Sequence, residues 1–255
     1  MLSALRTGRR CLVALSLGAL VAATPAAAAD WHPDLPAAIA YARARDGEVR
    51  LSVRADGGVW GWRANQQVPS ASVLKAMLLV AYLDDPSVRD RRLLPADRDL
   101  IGPMIRRSDN AAASRVLALV GPKAVRSVAR RAGMRRFVLD PVVWGLSRIT
   151  AADQTRFFRR IDAQVTARHR ATAMSLLGSI VPAQRWGIGR VHLPGWKLYF
   201  KGGWGRGTGA VEHQVALLRR GDRRVGAAVL ITGSPSHAYA MRTLRGVFAR
   251  LLRGL

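Results

Sequence analysis

The chain has 255 residues, 49% of them hydrophobic, which is enough for a substantial core in one large domain or two lobes sharing an interface. Lysine and arginine number 41 against 16 acidic residues, a formal charge of +25. With one cysteine, Cys11, and five histidines that show no metal-ligand spacing, a disulfide scaffold and a zinc–cysteine site are excluded, and no cofactor or metal is expected.

Arg6, Arg9 and Arg10 precede the apolar run from Cys11 to Ala23, and the small residues of "TPAAAAD" follow. This is the pattern of an export signal over residues 1–29, cleaved most simply after Ala29. The apolar run is shorter than the roughly 20 residues a membrane span needs. The arginine pair leaves a twin-arginine route open. Cleavage would remove Cys11, and with it any cysteine nucleophile; it would also remove three arginines, lowering +25 to +22. The mature protein is therefore expected to be secreted, extracellular or in the periplasm or cell wall. Its arginines spread along the whole chain, which fits compositional bias better than a binding face. Anionic cell-wall polymers are the partner that the charge would favour, and no nucleic-acid motif is present.

In the mature region "DLPAAIAYARAR" (Asp34 to Arg45) has helical periodicity, "EVRLSVRAD" (Glu48 to Asp56) alternates as a strand, and "GGVWGWRAN" reads as a turn into a second strand. From Val73 to about Ser179 the pattern is helical. It is interrupted at "DDPSVRDRRLLPADRD", "RRSDNA", "VGPKA" and the irregular "FVLDPVVWGLSR". Thr150 with Asp153 predicts a capping box opening the helix "AADQTRFFRRIDAQV". Strand character returns at Trp196 to Trp204, Val211 to Arg220 and Arg224 to Gly233, and "SHAYAMRTLRGVFARLLRG" closes the chain as a helix. The expected fold class is α/β (α+β): a five-stranded antiparallel sheet flanked by helices, plus an all-helical lobe. Residues 30–71 and 186–255 would form the α/β lobe and 72–185 the helical lobe of one domain, with a ligand cleft between them.

"VPSASVLKAMLLVAYL" (Val68 to Leu83) holds a single charged residue, Lys75, three positions after Ser72. Residues i and i+3 share a helix face, so the Lys75 amine can reach the Ser72 hydroxyl. Burial among apolar side chains lowers a lysine pKa and makes the amine useful as a base. On the plainer reading Ser72 caps its helix and Lys75 snorkels to water. Ser108-Asp109-Asn110 falls at a helix–helix junction, where Ser108 could be an ordinary N-cap. Lys201-Gly202-Gly203 falls at the end of a late strand. Lys201 is one of only four lysines, with Lys75, Lys123 and Lys197.

Each of these motifs is weak alone, but together, in this order and setting, they are specific. They resemble the S-x-x-K, S-D-N and K-[T/S]-G signatures of the serine β-lactamases and penicillin-binding proteins, closest to the class A β-lactamase arrangement, over nearly the whole mature chain. The resemblance implies a serine β-lactamase-like fold and a serine hydrolase that forms an acyl-enzyme on Ser72. Lys75 would be the base and Ser108 the proton relay, while Asn110, Lys201, Gly203 and Trp204 would contact substrate. The backbone N–H groups of Ser72 and Trp204 would form the oxyanion hole. The implied ligand is a small-molecule β-lactam or a cell-wall peptide amide or ester, and a monomer is expected. The alternative is a penicillin- or cell-wall-binding protein that uses the same cleft for recognition without turnover.

Two features depart from the family pattern. Gly202 replaces the hydroxyl residue that follows the lysine, which would weaken the hold on a penicillin carboxylate. The loop glutamate that activates the deacylating water in class A enzymes is also missing. The chain has only Glu48 and Glu212, neither between Ser108 and Lys201, and the matching loop holds only Asp140. Asp140 and His213 are weak candidates for a replacement base; Asp-Pro more often marks a turn, and His213 reads more readily as structural.

Overall fold

The computed structural model describes Leu2 and residues 31–255; the export segment expected at 1–29 lies, Leu2 aside, outside the described residues. Helix α1 (Leu35–Arg43) starts where the Asp34 side chain accepts the Ala37 N–H. Strands β1 (Glu48–Ala55) and β2 (Gly58–Trp62) form a hairpin. The two-residue strand β3 (Val68–Pro69) leads through a 3₁₀ turn (Ala71–Leu74) into α2 (Lys75–Leu83). Then come α3 (Pro95–Arg106), α4 (Asn110–Arg131), the short strand β4 (Arg148–Ile149), α5 (Ala151–Arg159) and α6 (Ala167–Gly178). Strands β5 (Lys197–Gly205), β6 (Val211–Arg220) and β7 (Arg223–Thr232) precede the last helix, α7 (His237–Leu251).

The five long strands make one antiparallel sheet in the order β2-β1-β7-β6-β5, as the alternating segments predicted. Because β5, the first strand after the helical block, takes the edge position, the Ser-x-x-Lys turn can lie against it. Register assigns the two faces. Ser52, Ala228, Val215 and Lys201 share one, together with Gly226 and Gly203. On this face the Ser52 Oγ lies 3.2 Å from the Thr155 Oγ1 of α5. Although α5 falls within the 72–185 stretch expected to form the helical lobe, it lies across β1, β7 and β6 instead, because its buried face packs on the sheet. Its close approach needs Gly226, where a Cβ would fall 2.6 Å from the Thr155 carbonyl oxygen. On the opposite face Glu212 of β6 meets His237 of α7, and α1 packs against α7 with the Tyr41 ring over Gly246.

All nine residues of α2 are buried, so it is the central helix of the block, with α3, α4 and α6 around it. The structure departs from the sequence expectations in four further places. Residues 68–69, just before the stretch read as helical, pair with 148–149, at the end of its irregular segment, as an unanticipated two-stranded ribbon with Val68 opposite Ile149. The helix after Thr150 ends at Arg159 and gives way to a 3₁₀ turn over Ile161–Gln164. The capping box is half formed: Thr150 accepts the Asp153 N–H at 3.1 Å, but the Asp153 carboxylate accepts the N–H groups of Arg135 and Arg136 at 2.9 and 2.8 Å. Finally, the lysine motif sits inside β5 rather than at its end, since Trp204 and Gly205 continue the pairing with Glu212 and Val211.

Gly226→Ala should lower stability by about 1–3 kcal/mol through overpacking between β7 and α5. Thermal unfolding followed by circular dichroism checks this, with a fall of roughly 2–4 °C per kcal/mol expected for a domain of this size.

Candidate active site

Ser72 lies in the 3₁₀ turn ahead of α2, and the turn is entered through Ala71 in the left-handed region at φ 42°. A non-glycine residue there costs on the order of 1–3 kcal/mol and persists only where its surroundings hold it. Here they do. The Ser70 N–H donates to the Ser147 carbonyl at 2.7 Å, and the Ser70 carbonyl accepts the Val73 N–H at 3.1 Å. Gly145, from the loop before β4, lies against Ala71.

The Lys75 Nζ lies 2.9 Å from the Ser72 Oγ, 2.6 Å from the Asn110 Oδ1, 2.5 Å from the Ser108 carbonyl oxygen and 3.2 Å from the Ser108 Oγ. The Lys201 Nζ is 3.0 Å from the same Ser108 Oγ and 2.9 Å from the Gly202 carbonyl oxygen. One serine hydroxyl therefore bridges two buried lysines, which are 0% and 1% exposed. Burial lowers the Lys75 pKa to about 7, against a smaller opposing pull from Asp109. Lys201 is held well below the usual lysine range, first by burial and then by the charge of Lys75. A neutral Lys75 has two N–H donors and one lone pair. The donors suit the Asn110 and Ser108 oxygens and leave the lone pair for the Ser72 hydroxyl proton.

Ser108 is not the N-cap of α4. Asp109 takes that role, accepting the Ala112 N–H at 2.8 Å, while Ser108 itself is held in the left-handed region at φ 61°. The structure thus brings Ser72, Lys75, Ser108, Asn110 and Lys201 into one hydrogen-bonded cluster. Gly203 completes the close approach. A Cβ there would fall 2.8 Å from the Val73 nitrogen and 3.0 Å from both the Ser72 nitrogen and the Ser70 oxygen, all backbone atoms. Only glycine lets β5 lie against the Ser72 turn. Trp204, the next residue, faces the other way, and its ring meets Trp186 at 5.7 Å. At Gly202 a side chain would run into the Trp186 ring at 3.3 Å, so an indole has taken the room of the absent hydroxyl residue.

The two weak candidates for a base lie outside this cluster. The Asp140 Oδ1 accepts the N–H groups of Val142 and Val143 in a local turn. His213 is fully buried; its Nδ1 accepts the Ile231 N–H at 3.1 Å and its Nε2 lies 2.9 Å from the Pro69 carbonyl oxygen. Burial also drops its pKa to about 4, so it stays neutral with both nitrogens engaged. Sequence reading missed Trp144. Its ring lies 4.9 Å from the Lys75 Nζ, and its indole N–H donates to the Ser114 Oγ at 3.1 Å. Ser114 is one turn on from Asn110, but nothing local in the sequence ties either residue to Trp144. Among the described residues, no group of three or more His, Cys, Asp or Glu could hold a metal ion.

A sheet with helices on both faces, and a serine–lysine–serine–lysine cluster where its edge meets a helical block, is the architecture of the serine β-lactamase class. Solved structures with this fold include the β-lactamase of Sphaerobacter thermophilus (TM-score 0.74, 20% identity, covering 88% of this chain and 97% of that one). The class A β-lactamase of Mycobacterium abscessus gives 0.72 at 18% identity, covering 86% and 98%. The reconstructed class A enzyme of the last common ancestor of Gram-negative bacteria gives 0.70 at 21%, covering 84% and 96%. At these identities the likeness establishes the fold. Residues 88–253 match the model of the beta-lactamase enzyme family, and the chain belongs to that family. The matched stretch contains Ser108, Asn110 and Lys201 but begins after Ser72 and Lys75. No protein of curated function matches the sequence.

Gly203→Ala should push β5 off the Ser72 turn and cut the rate of Ser72 modification by about 100-fold, since misplacement by about 1 Å costs that much. Labelling kinetics with an electrophile alongside thermal unfolding would check this; a rate loss that merely tracks unfolding contradicts it.

Proposed function

We propose that the protein is an exported serine hydrolase that forms an acyl-enzyme on Ser72 with β-lactams or related cell-wall peptide amides and esters. The observation that carries this reading is the 2.9 Å contact between the Ser72 Oγ and a Lys75 amine whose pKa is lowered to about 7. The neutral amine takes the Ser72 proton as the oxygen attacks the carbonyl carbon. Backbone N–H groups of Ser72 and Trp204 receive the developing oxyanion. The proton passes from Lys75 to the Ser108 Oγ, 3.2 Å away, and from there to the leaving nitrogen of an amide or oxygen of an ester. Asn110 and Lys201 position the substrate. Export, through residues 1–29, is part of the same proposal and brings the enzyme to wall material.

The second half of the cycle is less well provided. The Asp140 Oδ1 is spent on backbone N–H groups, His213 is sealed into the sheet, and the Trp144 ring stands over Lys75. These observations favour slow deacylation, and with it the alternative of a penicillin- or wall-binding protein that recognises its ligand without turnover.

Intact-mass spectrometry after exposure to a penicillin should show one added acyl mass that persists for hours, and Ser72→Ala should show none. A transient adduct with product release would point to turnover by another water-activating group. No adduct with any penicillin or wall-peptide ester would reject the acyl-enzyme.

The acylation rate should climb about tenfold per pH unit below pH 7 and level off above it, because only the deprotonated amine accepts the serine proton. Lys75→Ala should lower the plateau by about 10²–10⁴-fold. A flat profile between pH 5 and 9, scanned by stopped-flow labelling, would remove Lys75 as the base.

A further inference from the structure

The opposite face of β5 and β6 carries a second polar site. Where β5 passes Gly203, Trp204 turns its ring away from Ser72 towards a cavity of about 110 Å³, lined also by Glu212, Ser234, Ser236, His237 and the exposed Arg206. Glu212 is 7% exposed. Its Oε1 accepts the His237 Nδ1–H at 2.8 Å, but its Oε2 is buried and has no hydrogen-bond partner among the described residues. The Ser234 Oγ on the same cavity is buried and unpartnered too. Leaving a carboxylate oxygen unpaired at such burial is costly unless something outside the fold supplies a donor.

The chain has cations to spare for that purpose, since 41 lysines and arginines face 16 acids. Every other ion-paired carboxylate among the described residues has an arginine partner. Glu212 alone pairs with a histidine. Trp204 and His237, which line the cavity with it, lie 6.1 Å apart at a 30° tilt, and Trp186 backs both rings edge-on at 5.7 and 5.5 Å. A buried carboxylate that shares its cavity with an indole ring is an arrangement that recognises an ammonium group. The cavity is open to solvent on one side and has room for a short aminoalkyl end. The cations close by are Arg206 at the rim and Lys201, whose Nζ is 5.9 Å from the far wall, the Trp204 ring.

We propose that Glu212, Trp204, His237 and Ser234 form a site for an aliphatic ammonium group on the face of β5 and β6 opposite the serine–lysine cluster. The assignment goes beyond the acyl-enzyme reading and is tested without any acyl chemistry. Ser72→Ala protein, which cannot be acylated, is titrated with n-butylammonium, n-butanol and n-butyrate, and binding is followed through the indole and amide resonances of Trp204 and His237. Butylammonium should saturate these shifts, with n-butanol and n-butyrate at least tenfold weaker. Glu212→Gln should weaken butylammonium at least tenfold, and Arg206→Ala, at an exposed position, should strengthen it. Equal binding to Glu212→Gln, preference for n-butyrate, or no saturable shift with any of the three would overturn the site. Should Glu212→Gln fail to fold, the ligand series and Arg206→Ala still decide. Loss of the penicillin adduct with ammonium binding intact would instead reject the acyl-enzyme and leave the site standing.

Discussion

Everything at the site is arranged around one amine held out of water. Lys75 sits in a helix whose every residue is buried, and among the described residues no carboxylate is within hydrogen-bond reach of it; Asp109, whose charge favours protonation, contributes less than burial does. Desolvation wins, and the lysine pKa falls to about 7, so that a large share of the amine is neutral at neutral pH. An ammonium there would need an anion, and the fold offers only serine, asparagine and carbonyl oxygens. That polarity suits a neutral amine donating two hydrogen bonds and accepting one. Lys201 strengthens the constraint, because two lysines that meet at the Ser108 hydroxyl cannot both be charged cheaply.

Holding that cluster requires backbone to approach backbone. Gly203 lets the edge strand touch the Ser72 turn, Gly226 lets α5 settle on the far part of the same sheet face, and left-handed Ala71 and Ser108 aim the two serines. The strain at these last two positions is balanced by hydrogen bonds from Ser70 to Ser147 and from the Asp109 N–H to the Pro103 carbonyl. A small set of conformationally demanding residues thus fixes distances that no single helix or strand could set.

The alternation of β5 gives one strand two tasks. Lys201 and Gly203 face the serine–lysine cluster, while Gly202 and Trp204 face α7 and Trp186. The departures from the familiar motif follow from this division. Trp186 fills the space beside Gly202, and Glu212, opposite Trp204 in the register, puts a carboxylate where it meets His237. On the other flank, Trp144 rather than an acid stands over Lys75.

By itself the sequence determined the element order, the alternation of the sheet strands, and the three motifs with their family. All of these rest on local spacing: periods of two and 3.6 residues, and the i, i+3 step that joins Ser72 to Lys75. The same local rules misled where a side chain had a competing distant partner. Asp153 satisfies Arg135 and Arg136 instead of closing its own capping box, and Asp109 displaces Ser108 as the cap of α4. Only the tertiary structure decided that Ser108 bridges both lysines, that Trp144 covers Lys75, that His213 is sealed, and that Glu212 keeps an oxygen unpaired among the described residues beside the Trp204 indole. Those facts depend on contacts between residues 18 to 144 positions apart, and the sequence carries no periodicity that encodes such pairs.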